Sequence, residues 1–397
     1  MVSETALLQV GAMFAAIAVA GGVSYRLGTS VIPLYILAGM TIGPFGAGAV
    51  DLPHVPELEF IELGAELGII FLLFYLGLEF SIDRLLANVD RIGSAGAVDL
   101  AINFPLGFFV GLAIGWSLLE AWLLAGIVYI SSSAVITKSL IDRGWLGNPE
   151  AEPILGTLVF EDLVIAVYLA VTAALVGGAG DGPVEAAVPV AVALGAIGAL
   201  TLLVYYGTAA FDRLVDIESD EQLVLRAVGV TVLVAGAAFA AGVSEAVAAF
   251  FVGMAISSTA HADRIERLLL PVRDVFAAVF FFWIGLVTDP TLFGPIAALL
   301  AVVVVLTAAS KLASGVAGGR VYGLDDRRSL RVGLAMVTRG EFSLIIATVA
   351  AGGSGAVMTE LLPAFAVAYV LVMAILGTLL MQLSGSIERR LGLAWPG

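Results

Sequence analysis

The sequence predicts an all-α membrane protein: about thirteen transmembrane helices in two inverted six-helix repeats, with two helices interrupted at mid-membrane. Three observations predict it. The first is composition. Of 397 residues, 60% are hydrophobic and only 13% charged, with a mean hydropathy of +1.07, values that belong to a polytopic membrane protein. The second is the placement of basic residues, which alternates from loop to loop. The third is an internal similarity between segments seven apart.

Thirteen hydrophobic segments follow one another at roughly 5–27, 30–46, 58–80, 94–117, 119–142, 152–178, 184–209, 221–242, 244–258, 270–288, 292–317, 328–352 and 360–385. Each is read as a helix, because an open sheet edge cannot stand in lipid. The second and ninth are short for a full span of about 20 residues and are expected to be tilted, kinked or re-entrant. Of 18 Lys and Arg, only Lys311 and Arg339 lie well inside segments, away from the ends next to basic loops. The other basic residues, among them Arg26, Arg91, Arg143, Arg264, Arg327 and Arg389, fall in or close to loops after odd-numbered segments. The intervening loops carry acids, such as Asp51, Glu120, Asp289 and Glu360. By the positive-inside rule the N-terminus is expected outside and the C-terminus in the cytoplasm of a multi-pass cell-membrane protein.

The second segment contains Gly28, Ser30, Gly39, Met40 and Ile42. The ninth, with its lead-in, repeats them as Gly242, Ser244, Gly253, Met254 and Ile256. The third ends Phe74-Tyr75-Leu76-Gly77-Leu78 and the tenth Phe282-Trp283-Ile284-Gly285-Leu286. An offset of seven spans reverses direction through the membrane, which predicts inverted halves at about 5–178 and 221–385 joined by a linker helix at about 184–209.

The repeat indicates where a substrate would bind. Segment five carries Ser131-Ser132-Ser133 near its midpoint, and its partner, segment twelve, carries Thr338-Arg339-Gly340-Glu341. Polar, glycine-interrupted stretches at matching places predict two broken helices. Segment six places Glu161 and Asp162 side by side at the same depth. A carboxylate there costs roughly 2.5 kcal/mol or more to insert, and two neighbours oppose joint ionisation, so the pair is read as a cation and proton site. Asp162 with Glu161, Ser132 and Thr338 is the expected binding set, Asp162 being the ligand of a monovalent cation. Lys311 is expected either to serve as counter-ion or titrating partner, or to snorkel to the interface. Arg339 is expected to neutralise Glu341 or Glu161. Asp99 is read as lining an inner vestibule.

Composition also excludes. There is no cysteine, hence no disulfide or thiolate site. The net charge of −15 argues against nucleic acid as a partner. No cofactor beyond transported ions is implied, and no hydrolytic constellation points to an enzyme.

Phe74-Tyr75-Leu76-Gly77-Leu78-Glu79-Phe80, the Ser131–Leu140 stretch, the acid pair, Lys311 and Arg339-Gly340-Glu341-Phe342 together resemble the Kef-type members of the cation:proton antiporter-2 superfamily. The resemblance implies the Na⁺/H⁺-antiporter fold, with a core of two crossed broken helices and a dimerisation domain. It implies a monovalent cation/proton antiporter working by alternating access, K⁺ slightly ahead of Na⁺, in a homodimer within membrane lipid. Carried over, Asp162 matches the essential aspartate and Lys311 the basic residue of a neighbouring helix. Glu161 departs from the Kef pattern, which has Gln there. Kef proteins also carry a cytoplasmic nucleotide-binding domain, whereas this chain ends 12 residues after segment thirteen, so such control is expected from a separate regulatory subunit. The rivals are an organic anion transporter on the same fold, with Arg339 and Lys311 as its site, and a K⁺ channel, for which no Thr-Val-Gly-Tyr-Gly-like filter occurs.

Overall fold

The computed structural model describes residues 4–28, 30–79, 89–177, 211–213, 215–240 and 244–393, with isolated positions at 191, 195 and 198. The expected linker helix at 184–209 therefore lies outside the described residues, apart from those three positions. Each of the other twelve segments is helical. They are α1 (Glu4–Leu27), α2 (Val31–Ile42), α3 (Glu59–Glu79), α4 (Val89–Ala113), α5 (Leu118–Tyr129), α6 (Ser133–Asp142), α7 (Ala151–Gly177), α8 (Asp220–Ala240), α9 (Glu245–Ser257), α10 (Ala262–Val287), α11 (Phe293–Val321), α12 (Asp326–Met336), α13 (Glu341–Ala351) and α14 (Leu362–Gln382), followed by a short α15 (Ser384–Arg390). Among the described residues, nine helical stretches are long and apolar enough to cross a membrane. The fold is that of an all-helical, multi-pass membrane protein.

Two segments are each split in two. α5 starts at a capping box, Ser117 with Glu120, and ends where Ile130 takes extended backbone (φ −71°, ψ 132°). The chain re-enters a helix at Ser133. α12 starts at an Asp325 N-cap and stops at Val337, and α13 begins after an extended Gly340. Hydrophobic length does not register either break; the polar stretches Ser131-Ser132-Ser133 and Thr338-Arg339-Gly340-Glu341 do. α10 begins eight residues before its hydrophobic stretch: Ala262–Leu269 is charged, and a reading by hydrophobicity omits it.

The chain divides into two compact units. The first comprises residues 1–17, 38–86 and 166–287. There α3 packs against α9 and α10 with backbones almost touching. A Cβ on Gly39 would overlap the Phe282 carbonyl and lie 2.9 Å from the Leu286 nitrogen. A Cβ on Gly253 would overlap the Phe74 carbonyl and lie 3.0 Å from the Leu78 nitrogen. Only glycine fits either place. Tyr75 carries the Arg273 guanidinium 4.0 Å above its ring and donates to Glu266 at 3.3 Å.

The second unit comprises residues 18–37, 87–165 and 288–397. It contains both split segments, α4, α11 and α14. α11 meets α12 through Gly315 and Gly333: a Cβ on Gly315 would lie 2.6 Å from the Gly333 Cα, and one on Gly333 would lie 2.5 Å from the Leu312 carbonyl oxygen. Near the start of α12, two fully buried carboxylates, Glu150 and Glu388, are bound by arginines. Arg331 donates to Glu150 at 2.7 Å and to Glu388 at 2.6 Å, Arg327 donates to Glu388 at 2.6 Å, and Arg331 stacks 4.8 Å over Trp145. This cluster fastens α15 to α12 and to the turn that precedes α7.

Candidate functional site

The two interruptions meet. The Ser132 amide donates to the Thr338 carbonyl at 3.2 Å, and the Ser131 hydroxyl reaches the Met336 carbonyl at 3.4 Å. A helix that stops inside an apolar body leaves amides at one end and carbonyls at the other without intrahelical partners. Charged side chains supply those partners. Glu161 accepts from the Ser131 amide at 2.6 Å and from its hydroxyl at 3.0 Å, just ahead of α6. Glu341, in the first turn of α13, accepts from the Ser132 hydroxyl at 2.6 Å, and that hydroxyl accepts from the Val135 amide at 3.3 Å.

Arg339 serves the opposite ends. Its Nε donates to the Val128 carbonyl at 3.0 Å. Its Nη1 donates to the carbonyls of Met336, Val337 and Thr338 at 3.0–3.1 Å. Acids thus sit at half-helix N-termini and the guanidinium at half-helix C-termini, the favourable sense for each dipole. Arg339 meets main-chain carbonyls, where the sequence suggested a carboxylate. Orphaned carbonyls at two helix ends offer a fully buried guanidinium more acceptors than one acid does.

Lys311 does not snorkel. It is fully buried, and its Nζ lies 2.5 Å from Glu161 and 2.6 Å from Asp99, with the Tyr129 ring 4.9 Å away. Asp99 is also buried, and is held by Ser314 at 2.7 Å and Asn103 at 2.9 Å. Asn103 in turn accepts from Ser310 at 2.7 Å. This α4–α11 network is the part of the site that sequence reasoning missed. The signal was Asp99 and Asn103 one turn apart, facing Ser310, Lys311 and Ser314 at helical spacing.

Asp162, one residue beyond Glu161, is 6% exposed. The Ser133 hydroxyl approaches its two oxygens at 3.3 and 3.4 Å. Of the three serines, Ser133 is therefore beside Asp162, while Ser132 faces Glu341. The Thr338 hydroxyl donates back to the Ala335 carbonyl at 3.3 Å. Both Ser132 and Thr338 are fully buried, and glycines press on them. A Cβ at Gly340 would overlap the Ser132 hydroxyl, and one at Gly377 of α14 would overlap the Thr338 hydroxyl.

Comparison with known proteins decides the family. The model of the transmembrane sodium/hydrogen exchanger family matches residues 12–383. The chain belongs to that family. This exchanger is 37% identical over 387 residues to the K(+)/H(+) antiporter subunit KhtU of Bacillus subtilis, covering 97% of this chain and 95% of that one. It is 29% identical to the ammonium/H(+) antiporter subunit AmhT of Alkalihalophilus pseudofirmus, covering 97% and 94%. The sodium proton antiporter MjNhaP1 of Methanocaldococcus jannaschii shares the fold, with a TM-score of 0.73 over 95% of this chain and 98% of that one at 15% identity. The exchanger is thus a monovalent cation/proton antiporter of the Kef-like kind, a transporter and not an enzyme.

Proposed function

We propose that Asp162 is the carboxylate for which cation and proton compete, with Ser133 beside it and K⁺ favoured over Na⁺. The observation that carries this reading is the Ser133–Asp162 contact at the point where the two interrupted segments exchange a backbone hydrogen bond. Unwound backbone and half-helix ends at one depth suit a transported ion. A proton or a monovalent cation neutralises Asp162 and lets the loaded site cross an apolar barrier. The empty, charged site resists crossing, and exchange follows. The preference for K⁺ draws on the K(+)/H(+) exchange for which the Bacillus subtilis relative is named. Thr338 and Ser132 support the site from behind, through their backbone hydrogen bond and Glu341.

The halves at about 5–178 and 221–385 are read as inverted repeats. The Gly39–Phe282 and Gly253–Phe74 contacts support this, since each becomes the other under the offset that pairs segment two with nine and three with ten. The crossed broken helices would then be matching elements of the two halves. The basic loops favour an N-terminus outside and a C-terminus in the cytoplasm of the cell membrane. Two relatives are named as antiporter subunits, which favours a separate regulatory subunit here; a homodimer is the family expectation. The test is dissipation of a pH gradient in proteoliposomes with K⁺, Na⁺, Li⁺ and Rb⁺ in turn. Wild type should respond to K⁺ at the lowest concentration, and Asp162→Asn should respond to none. Exchange by that variant at the wild-type rate would refute the assignment.

A further inference from the structure

Lys311 has two carboxylate partners, and they come from different helices. Glu161 on α7 and Asp99 on α4 flank its ammonium at 2.5 and 2.6 Å. Both acids are built to remain in place. Glu161 is fixed by the Ser131 amide and hydroxyl, and Asp99 by Ser314 and Asn103. Among the described residues, Asp162 follows Glu161 on α7 and Arg339, between α12 and α13, lies close enough to act on Glu161; α5 contributes the Tyr129 ring. An uncompensated ammonium in so buried a place acts strongly on any nearby charge, because the surroundings screen it poorly.

We infer that Asp99 is a positioning residue for exchange: it compensates the Lys311 charge so that the ammonium does not oppose cation binding at Asp162. The inference rests on the assignment of Asp162. Glu161 alone would leave Lys311 balanced from one side only, and Asp99 supplies the second, fixed counter-charge. The geometry gives Asp99 no direct part in holding the ion. Its effect is electrostatic and is relayed through Lys311, so it should show in cation affinity more than in turnover. The serines and Asn103 hold Asp99 in one orientation, and a hydrogen-bonded amide of the same shape can take its place without emptying the site.

The test compares Asp99→Asn, Lys311→Gln and the double variant in proteoliposomes, reading KM for K⁺ and for Na⁺ separately from maximal rate. Asp99→Asn removes a negative charge and should raise KM at least tenfold. The double variant removes one charge of each sign and restores the balance, so its KM should return to within about threefold of wild type, a coupling that independent sites do not show. A merely structural role would make the double variant worse than either single one. An unchanged KM in Asp99→Asn, or a double variant as impaired as Asp99→Asn, overturns the proposal. Should turnover be lost in the double variant, thermal stabilisation of purified protein by KCl and NaCl gives the same comparison through mass action, with the same two outcomes. Asp162→Asn separates the two readings. If it retains exchange, the site assignment fails; if it is inactive while Asp99→Asn binds K⁺ like wild type, only the role of Asp99 fails.

Discussion

Glu161 and Asp162 are chain neighbours with different work. Glu161 is fully buried and engaged by the Ser131 amide, the Ser131 hydroxyl and the Lys311 ammonium. Asp162 meets a hydroxyl of α6. Substituting Gln for Glu161 keeps an acceptor for Ser131 but replaces a charge-assisted hydrogen bond worth roughly 1.5–3 kcal/mol by a neutral one. Asp99 still holds Lys311 in that variant. We therefore expect folded protein with measurable exchange lowered about tenfold, checked by the initial rate of pH-gradient collapse; wild-type rate would show the charge of Glu161 to be dispensable. The residues of the site were unequally legible. Glu161, Asp162, Lys311 and Arg339 stand out because charge in an apolar segment is costly and rare. Asp99 lay closer to a predicted segment end and invited a blander reading. Ser133 could not be told from Ser131 and Ser132, since which serine faces which acid depends on where the helix restarts.

At the scale of elements, the site is two helix breaks held in register by small residues. Gly340 sits against the Ser132 hydroxyl and Gly377 against the Thr338 hydroxyl, with no room for a methyl group. Overpacking of this kind costs about 1–3 kcal/mol. Gly340→Ala and Gly377→Ala should each lower the melting temperature, and each should slow exchange by displacing the backbone from which Ser132 and Glu341 are hung. An alanine at either place with wild-type stability and rate would mean that the close approach is not required. The breaks were legible as polar interruptions at matching positions of two segments. The residues at which helix gives way to extended chain were not, because tertiary hydrogen bonds to Glu161, Glu341 and Arg339 set them and local propensity does not.

At the scale of the whole molecule, most of the helices were legible from hydrophobic length and from the alternation of basic and acidic loops. α15 and the charged start of α10 were not, since neither is apolar enough to count. α15 matters to the rest through Glu388. Burial alone would push that carboxyl up, but hydrogen bonds from Arg331 and Arg327 outweigh it and hold the group below the usual carboxylate range. A depressed native value means that the unfolded chain binds the proton more readily. The stabilisation is then complete above the ordinary glutamate value of about 4.3 and is lost as the pH falls through the native one. Glu388→Gln should accordingly melt below wild type at neutral pH, with a deficit on the order of 1–3 kcal/mol, and the two melting curves should converge in acid. A deficit that does not depend on pH would place the effect in packing instead. The reciprocal glycine contacts predict equal penalties for Gly39→Ala and Gly253→Ala, measured by thermal unfolding; a large effect at one and none at the other would count against matched halves. The fastening of α15 has a practical side as well. Through Glu388 and Arg331 it is coupled to the half-helix that ends at Met336, so a fluorophore attached just past Arg390 is in effect a marker on the broken segment. Its emission should follow the working motion of the exchanger during turnover while every residue of the candidate site remains untouched.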